Sequence, residues 1–420
     1  MAVRTHPTVE AAREAQRGAE FDLDEARSGY FPTVDSNAAA GLARTNNSST
    51  RGRRTRGAAG TSSQGYSQDR YESSFTISQL LFDGWGIQNR TAAAQSRLDA
   101  AGFQVFDASD IIGLRATAAY LDVLRSRRLV ELADDNAKKH EDVLAQVTER
   151  AQSGAGTLAD VDQVTGRVAQ AQSALLAVIN GLRDAEVDYL EAIGEPPAAL
   201  VRPIPDLGLV MRKVEDAVAA GIAGNSAVRA AAETIVAQRA TADAALAPFY
   251  PKFDLELAGK RDENVGGVEG PSNDLTAKIK ITYNLYRGGG DSARRAAALS
   301  RQSEALQKHA ETRRTVERAI RTAYNALQIA QDRIPVLKGH AEASERALAA
   351  YYEQFKAGNR TLLDALNSEG EAFGARAALL NGEYSVLVSY YRVLATMGLL
   401  VRTLDVAVGA SAAGDARKAN

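Results

Sequence analysis

The chain has 420 residues, with 50 basic and 52 acidic side chains for a net charge of −2, no cysteine, one tryptophan and a 45% hydrophobic share. Absence of cysteine excludes a disulfide framework, a thiolate nucleophile, a zinc ribbon and an iron–sulfur cluster, and the four histidines, His6, His140, His309 and His340, are too scattered to suggest a metal site or histidine-based catalysis. Near-neutral charge argues against bulk nucleic-acid binding, and no run approaches the roughly 18 consecutive apolar residues that a membrane-spanning helix needs.

In chain order, residues 8 to 28 read as a helix; no apolar leader precedes it, which leaves export open. Residues 30 to 82 read as a hairpin. Alternation is weak from Val34 to Leu42 and clear where Tyr71, Phe75, Ile77 and Leu81 alternate with Glu72, Ser74, Thr76 and Ser78. Between the strands, Arg44, Arg51, Arg53, Arg54 and Arg56 stand in a Ser/Thr/Gly/Asn-rich loop with no acid from 44 to 68, a pattern that is usually only solvated. From 85 to 152 the chain is Ala-rich and charged, with few glycines and no proline, which predicts a single helix about 100 Å long at about 1.5 Å per residue. Residues 153 to 157 form a turn: Gly154 ends one helix, Thr157 begins the next, and Asp160 three residues on makes an imperfect capping box. A return helix covers 158 to 193, and a connector with Pro196, Pro197, Pro203 and Pro205 covers 195 to 213.

Residues 214 to 400 repeat residues 1 to 194. Val316, Ile320, Ala323, Leu327, Ala330, Ile334, Leu337 and Ala341 are spaced alternately by four and three, which is a coiled-coil seam. An offset of 204 converts it into Ile112, Ala116, Ala119, Val123, Ser126, Val130, Ala133 and Ala137, and the same offset pairs Gly154 and Thr157 with Gly358 and Thr361. Upstream the offset becomes 219 and pairs Tyr30-Phe31-Pro32 with Phe249-Tyr250-Pro251, so the extra residues of the first repeat lie in its basic loop. The second hairpin, 249 to 286, sets Phe253, Leu255 and Leu257, and then Leu275, Ile279 and Ile281, against Asp254, Glu256, Lys278 and Lys280. A long helix over 289 to 357 follows, with a local kink expected at Pro335. Next come a turn over 358 to 361, with Asp364 three residues past Thr361, a return helix to 400, and a 401 to 420 tail expected to be disordered.

Strands of this length have two readings. A half-exposed sheet in a soluble coiled-coil scaffold is one. The other is a transmembrane sheet, because about 9 to 11 tilted residues cross a bilayer as a strand. That places Leu255, Ile279 and Ile281 toward lipid and Glu256, Lys278 and Lys280 toward a wet lumen. Four strands cannot close a barrel alone, so this reading requires oligomerisation. Gly288, Gly290 and Ala293 follow a strand as a dinucleotide fingerprint would, but alternate charges on that strand and the helix of nearly seventy residues behind it contradict a compact βαβ unit.

The two repeats, the junctions Leu81-Phe82-Asp83-Gly84-Trp85 and Leu285-Tyr286-Arg287-Gly288-Gly289, and above all the run from Gly358-Asn359-Arg360-Thr361 to Asp364-Ala365-Leu366-Asn367 resemble the TolC family of outer-membrane channel-tunnels, most closely its type I secretion branch. The resemblance covers nearly the whole chain. It implies a mostly α fold with a small β part, a homotrimer whose twelve strands form one β-barrel joined to a long α-helical barrel, and a passive channel without catalytic residues, cofactor or metal. It places the protein in the bacterial outer membrane, working with a periplasmic adaptor protein and an inner-membrane transporter on a secreted protein cargo, or on a drug or metal in the alternative efflux role. At the periplasmic entrance it implies an Asp364 ring, a latch at Arg360 with Asp160 as its acidic counterpart, Asn367 where a second ring acid would stand, and Phe355 in place of a closing tyrosine. It also makes the arginine loop extracellular, able to meet lipopolysaccharide phosphates.

Overall fold

The computed structural model describes residues 2–47, 66–206, 208, 210–211 and 213–404; Arg51, Arg53, Arg54 and Arg56, and the tail beyond 404, lie outside the described residues. The elements in order are α1 (Ala2–Thr5), α2 (Pro7–Ser28), β1 (Thr33–Thr45), β2 (Tyr66–Phe82), α3 (Gly86–Gln152), α4 (Leu158–Ile193), α5 (Val214–Gly224), α6 (Ser226–Ala244), β3 (Lys252–Glu263), β4 (Pro271–Thr282), α7 (Gly290–Lys356), α8 (Leu362–Thr396) and α9 (Leu400–Thr403). They form two compact units, each drawing on both repeats. One is helical, from the described residues of 1–16, 101–231 and 309–420; the other carries the sheet, from those of 17–100 and 232–308.

In the helical unit the heptad seams are the packed faces. Val316, Ile320, Ala323, Leu327, Ala330 and Ala341 are buried on α7, and Ile112, Val123, Ser126, Ala133 and Ala137 on α3. Short and long elements share each seam. Ala2 and Val9 from α1 and α2 bury with Ile112, and Ile193 at the end of α4 packs beside them. In the second repeat Ala217, Val218 and Val228 from α5 and α6 meet Leu394 and Met397 from the end of α8 over Val316 and Ile320. Ile320, Leu394 and Met397 have no exposed surface, and each fully buried side chain of this kind contributes about 1.5–3 kcal/mol. The short elements break at equivalent places. Asn225 Oδ1 accepts from Ala227 N at 3.0 Å and Val228 N at 3.2 Å, and at the 219 offset His6 Nδ1 accepts from Thr8 N at 3.2 Å.

Pro335 lies within the continuous span of α7, and its exposed face lets water satisfy the carbonyl that the missing N–H frees. One bound departs from the sequence expectation. The last helix stops at Thr396, because Gly398 turns left-handed at φ 71 and donates to Ala395 O while Leu399 N donates to Leu394 O, after which α9 begins anew.

In the sheet unit the four strands lie in the order β1-β2-β3-β4, all neighbours antiparallel, so β2 and β3 join the two repeats and β1 and β4 are open edges. The strands have 13, 17, 12 and 12 residues, longer than the roughly ten expected, and β4 ends at Thr282. Register puts Val34, Ile77, Leu257 and Ala277 in one row and Leu255 beside Ile279. At the strand-to-helix junctions Gly84 and Trp85 have φ 69 and 63, and Gly288 and Gly289 have φ 62 and 80. A left-handed tryptophan costs roughly 1–2 kcal/mol, offset here by edge contacts of its ring with Phe82 and Tyr250.

Candidate functional site

The two helix turns of the helical unit are built alike by local chemistry. Gly154 at φ 80 donates to Ala151 O and Ala155 N to Arg150 O; Gly358 at φ 77 donates to Phe355 O and Asn359 N to Gln354 O. Both are Schellman closures, which satisfy the last carbonyls of α3 and α7. Thr157 Oγ1 accepts from Asp160 N at 3.2 Å while Thr157 N donates to Asp160 Oδ2 at 3.3 Å, so the box is complete although aspartate replaces the usual glutamate. Thr361 Oγ1 accepts from Asp364 N at 3.2 Å and donates to Asp364 Oδ2 at 2.8 Å. The Thr361 hydroxyl, and then Arg360, hold the Asp364 carboxyl below the usual carboxylate range.

Arg360 is gathered onto its own turn. Its Nε donates to Gln354 Oε1 at 3.0 Å, its Nη1 lies 3.6 Å from Asp364 Oδ2, and its guanidinium stacks 4.0 Å over the Tyr351 ring. Arg360 and Asp364 are therefore brought together, whereas among the described residues no ion pair joins Arg360 to Asp160, whose partner is Thr157. Asn367 accepts from Arg167 Nη2 at 2.8 Å, a tie between α8 and α4 that sequence reading missed. No local pattern marks Arg167: at the 204 offset its counterpart is Glu371. Phe355 packs with Tyr352 against an apolar cluster of Val143, Val147, Val164, Val168, Leu362 and Leu366, under the Arg150 guanidinium at 5.3 Å. The turns thus cap an apolar plug drawn from four helices. Directly above it, His140 where the α3 seam continues, Asn136 one turn before it and Glu369 of α8 are buried polar residues that sequence reading missed.

The sheet separates its side chains by face. Register places Tyr71, Phe75, Ile77, Leu255, Leu257, Leu275, Ile279 and Ile281 on one side, and the large ones stay uncovered: Leu275 is 89% exposed, Ile279 64% and Ile281 63%. The other side carries the ion pairs Glu256–Lys278 at 3.0 Å, Glu256–Lys280 at 3.1 Å and Lys260–Asp262 at 2.6 Å. Among the described residues nothing covers this apolar face or pairs the outer edges of β1 and β4, which marks it as a surface that meets a partner or a membrane. No described helix is long and apolar enough to cross a membrane, and no described group of three His, Cys, Asp or Glu is placed to hold a metal.

The model of the outer membrane efflux protein family matches residues 1–195 and 220–399. The outer membrane efflux protein BepC of Brucella suis is 25% identical over 77% of this chain and 71% of its own length. The proteases secretion protein PrtF of Dickeya chrysanthemi is 24% identical over 79% of this chain and 73% of its own length. Among solved structures, the CmeC outer membrane channel of Campylobacter jejuni superposes with a TM-score of 0.80 over 95% of this chain and 84% of that one, at 14% identity, which shows the shared fold.

Proposed function

The chain belongs to the outer membrane efflux protein family, the TolC-like passive outer-membrane channels, and on that premise we propose that it works as a homotrimer and as the exit duct of a tripartite type I protein secretion system. Membership removes the soluble scaffold alternative. In this reading three sheets join β4 to β1 of the next chain and close twelve strands, and a periplasmic adaptor protein and inner-membrane transporter supply energy and cargo. The observation that carries the trimer is the four-stranded sheet with two open edges and an uncovered apolar face. Its Glu256, Lys278 and Lys280 side would line the lumen, its Leu255, Ile279 and Ile281 side would meet outer-membrane lipid, and the arginine loop would face the exterior.

Support for protein secretion comes from the likeness to a protein named for protease secretion. A second reading, export of small molecules such as drugs or metals, is favoured by the likeness to a relative named for efflux. At the entrance, Arg360 and Asp160 would latch neighbouring turns and three Asp364 carboxylates would ring the axis. With Asn367 uncharged and Phe355 in the plug, the entrance would attract cations less and close more weakly than one with a second acid ring and a tyrosine link. The test is planar-bilayer conductance of detergent-purified protein with its mass measured alongside: a trimer that conducts supports the channel, and a stable monomer in plain buffer refutes it. Deletion of the gene with assays of secreted protein and of drug or metal tolerance separates the two cargo classes.

A further inference from the structure

His140 is 6% exposed, Asn136 7% and Glu369 3%, and His140 Nδ1, Asn136 Oδ1 and Glu369 Oε1 are all sealed from solvent without a hydrogen-bond partner. Buried polar atoms are nearly always hydrogen-bonded, so three that are not, Glu369 Oε1 having only the longer ion pair to Lys139, mark a site retained for something other than packing. Asn136 and His140 are one turn apart on the buried face of α3, and Glu369, on α8, acts electrostatically on the imidazole. The group lies about 10 Å, two helical turns, beyond Leu362, where α8 leaves the turn, immediately above the apolar plug. Because all three residues are already buried within one chain, assembly with further copies does not create this environment.

The surrounding charges decide what the site does. From α3, Lys139 Nζ lies 3.5 Å from Glu369 Oε1 and 2.9 Å from Asp135 Oδ2, and Asp142 acts on the nearby Tyr352 of α7. From α4, Arg167 acts on His140 and disfavours its charge. Burial pushes the Tyr352 phenol up to about 12, which removes it from titration near neutrality. Lys139 therefore already pairs with the carboxylate of this group, and Arg167 adds a second positive charge near the imidazole. A third positive charge would be poorly paired, and an unpaired buried charge is costly enough to draw water into the seam. The neutral imidazole fits the dry packing; the imidazolium does not. Burial accordingly lowers the affinity of His140 for a proton, although Glu369 partly restores it.

We propose that His140, with Glu369 across the α3–α8 seam and Asn136 one turn away, is a proton-sensing joint: neutral, it lets α3 and α8 pack dry above the turns, and protonated, it hydrates and loosens that packing. The direction follows from linkage. The hydrated arrangement binds the proton with the ordinary histidine affinity and the dry one more weakly, so acid favours the loosened arrangement and neutral pH the closed one. The joint stands on the buried geometry of a single chain. Its consequence for conductance rests on the channel reading above.

The test is amide hydrogen exchange of the detergent-solubilised full-length protein from about pH 7.5 to about pH 5, corrected for intrinsic rates, with bilayer conductance recorded in parallel. Wild type is expected to lose protection in α3 around 133–147 and in α8 around 366–376, with a midpoint below the ordinary histidine value of about 6.5. His140→Gln should abolish the loss and His340→Gln, at an exposed position, should leave it intact. Glu369→Gln removes the charge that favours the imidazolium and should move the midpoint to lower pH; this variant serves equally if His140→Gln does not assemble. A flat wild-type profile, a full response in His140→Gln, or an upward shift in Glu369→Gln overturns the joint. A response in exchange with no current at any pH upholds the joint and refutes the channel.

Discussion

Arginine substitution at graded depth along β4 tests whether the apolar face of the sheet meets lipid. Leu275 is 89% exposed and sits near the middle of the twelve-residue strand, paired with Gly259, and Ile281 is 63% exposed, one residue before the end. In a single chain neither is covered, so in water either substitution would be nearly silent. In a bilayer the cost depends on depth. An arginine facing midplane lipid costs about 2–4 kcal/mol and one near the interface about 0–1 kcal/mol. Six residues separate the two positions, about 20 Å along the strand and about 14 Å along the membrane normal at a 45° tilt. Three-fold symmetry multiplies the midplane value to roughly 6–12 kcal/mol per trimer, comparable with the whole stability of many domains. Leu275→Arg should therefore abolish the detergent-resistant trimer and Ile281→Arg should preserve it, while Lys280→Glu, on the ion-paired face beside Glu256, should assemble and alter ion selectivity. Native-mass measurement in detergent and assembly into liposomes read the first two, and reversal potentials read the third. Equal tolerance of Leu275→Arg and Ile281→Arg, or loss of assembly in Lys280→Glu alone, would refute the lipid-facing assignment.

At the turns, Arg360→Ala or Asp160→Ala should raise single-channel conductance, and Asp364→Asn should weaken block by multivalent cations; three variants indistinguishable from wild type would reduce these residues to helix caps. Thr157→Ala removes the capping hydroxyl from α4 and should cost about 1 kcal/mol, seen as faster amide exchange in its first turn. A Cβ on Gly221 would stand 2.3 Å from Ile320 Cδ1, so Gly221→Ala should destabilise by about 1–3 kcal/mol and Ile320→Val, which deletes that methyl, should restore part of the loss in a double-mutant cycle. Burial raises the Asp110 carboxyl to about 6 even though it accepts from Val401 N at 3.0 Å. The native state thus binds this proton more tightly than the unfolded chain, and the ionised form opposes folding fully above about pH 6 and not at all below about pH 4. Asp110→Asn should raise the unfolding temperature at pH 8, by an effect on the order of 3 kcal/mol, and change nothing near pH 4.

What the sequence determined by itself is the part of the molecule governed by period and local chemistry. The alternating three and four spacing of Val316 to Ala341, and its copy at Ile112 to Ala137, announces the buried seams because a helix presents every third and fourth residue to the same neighbour. Gly154, Thr157 and Asp160 announce a turn because the closure needs only groups within a few residues of one another. Strand alternation at Leu275, Ile279 and Ile281 announces two chemically opposed faces for the same reason. Only the tertiary structure decided which distant groups share a site. Asn367 holds Arg167 of α4 rather than a partner on its own turn. Phe355 joins a plug assembled from four helices, and His140, a polar residue where the α3 period calls for an apolar one, is buried near enough to Glu369 of α8 to feel its charge. Those pairings depend on the register between helices separated by more than a hundred residues of chain. That register is set by the summed packing of whole faces, which no local spacing encodes.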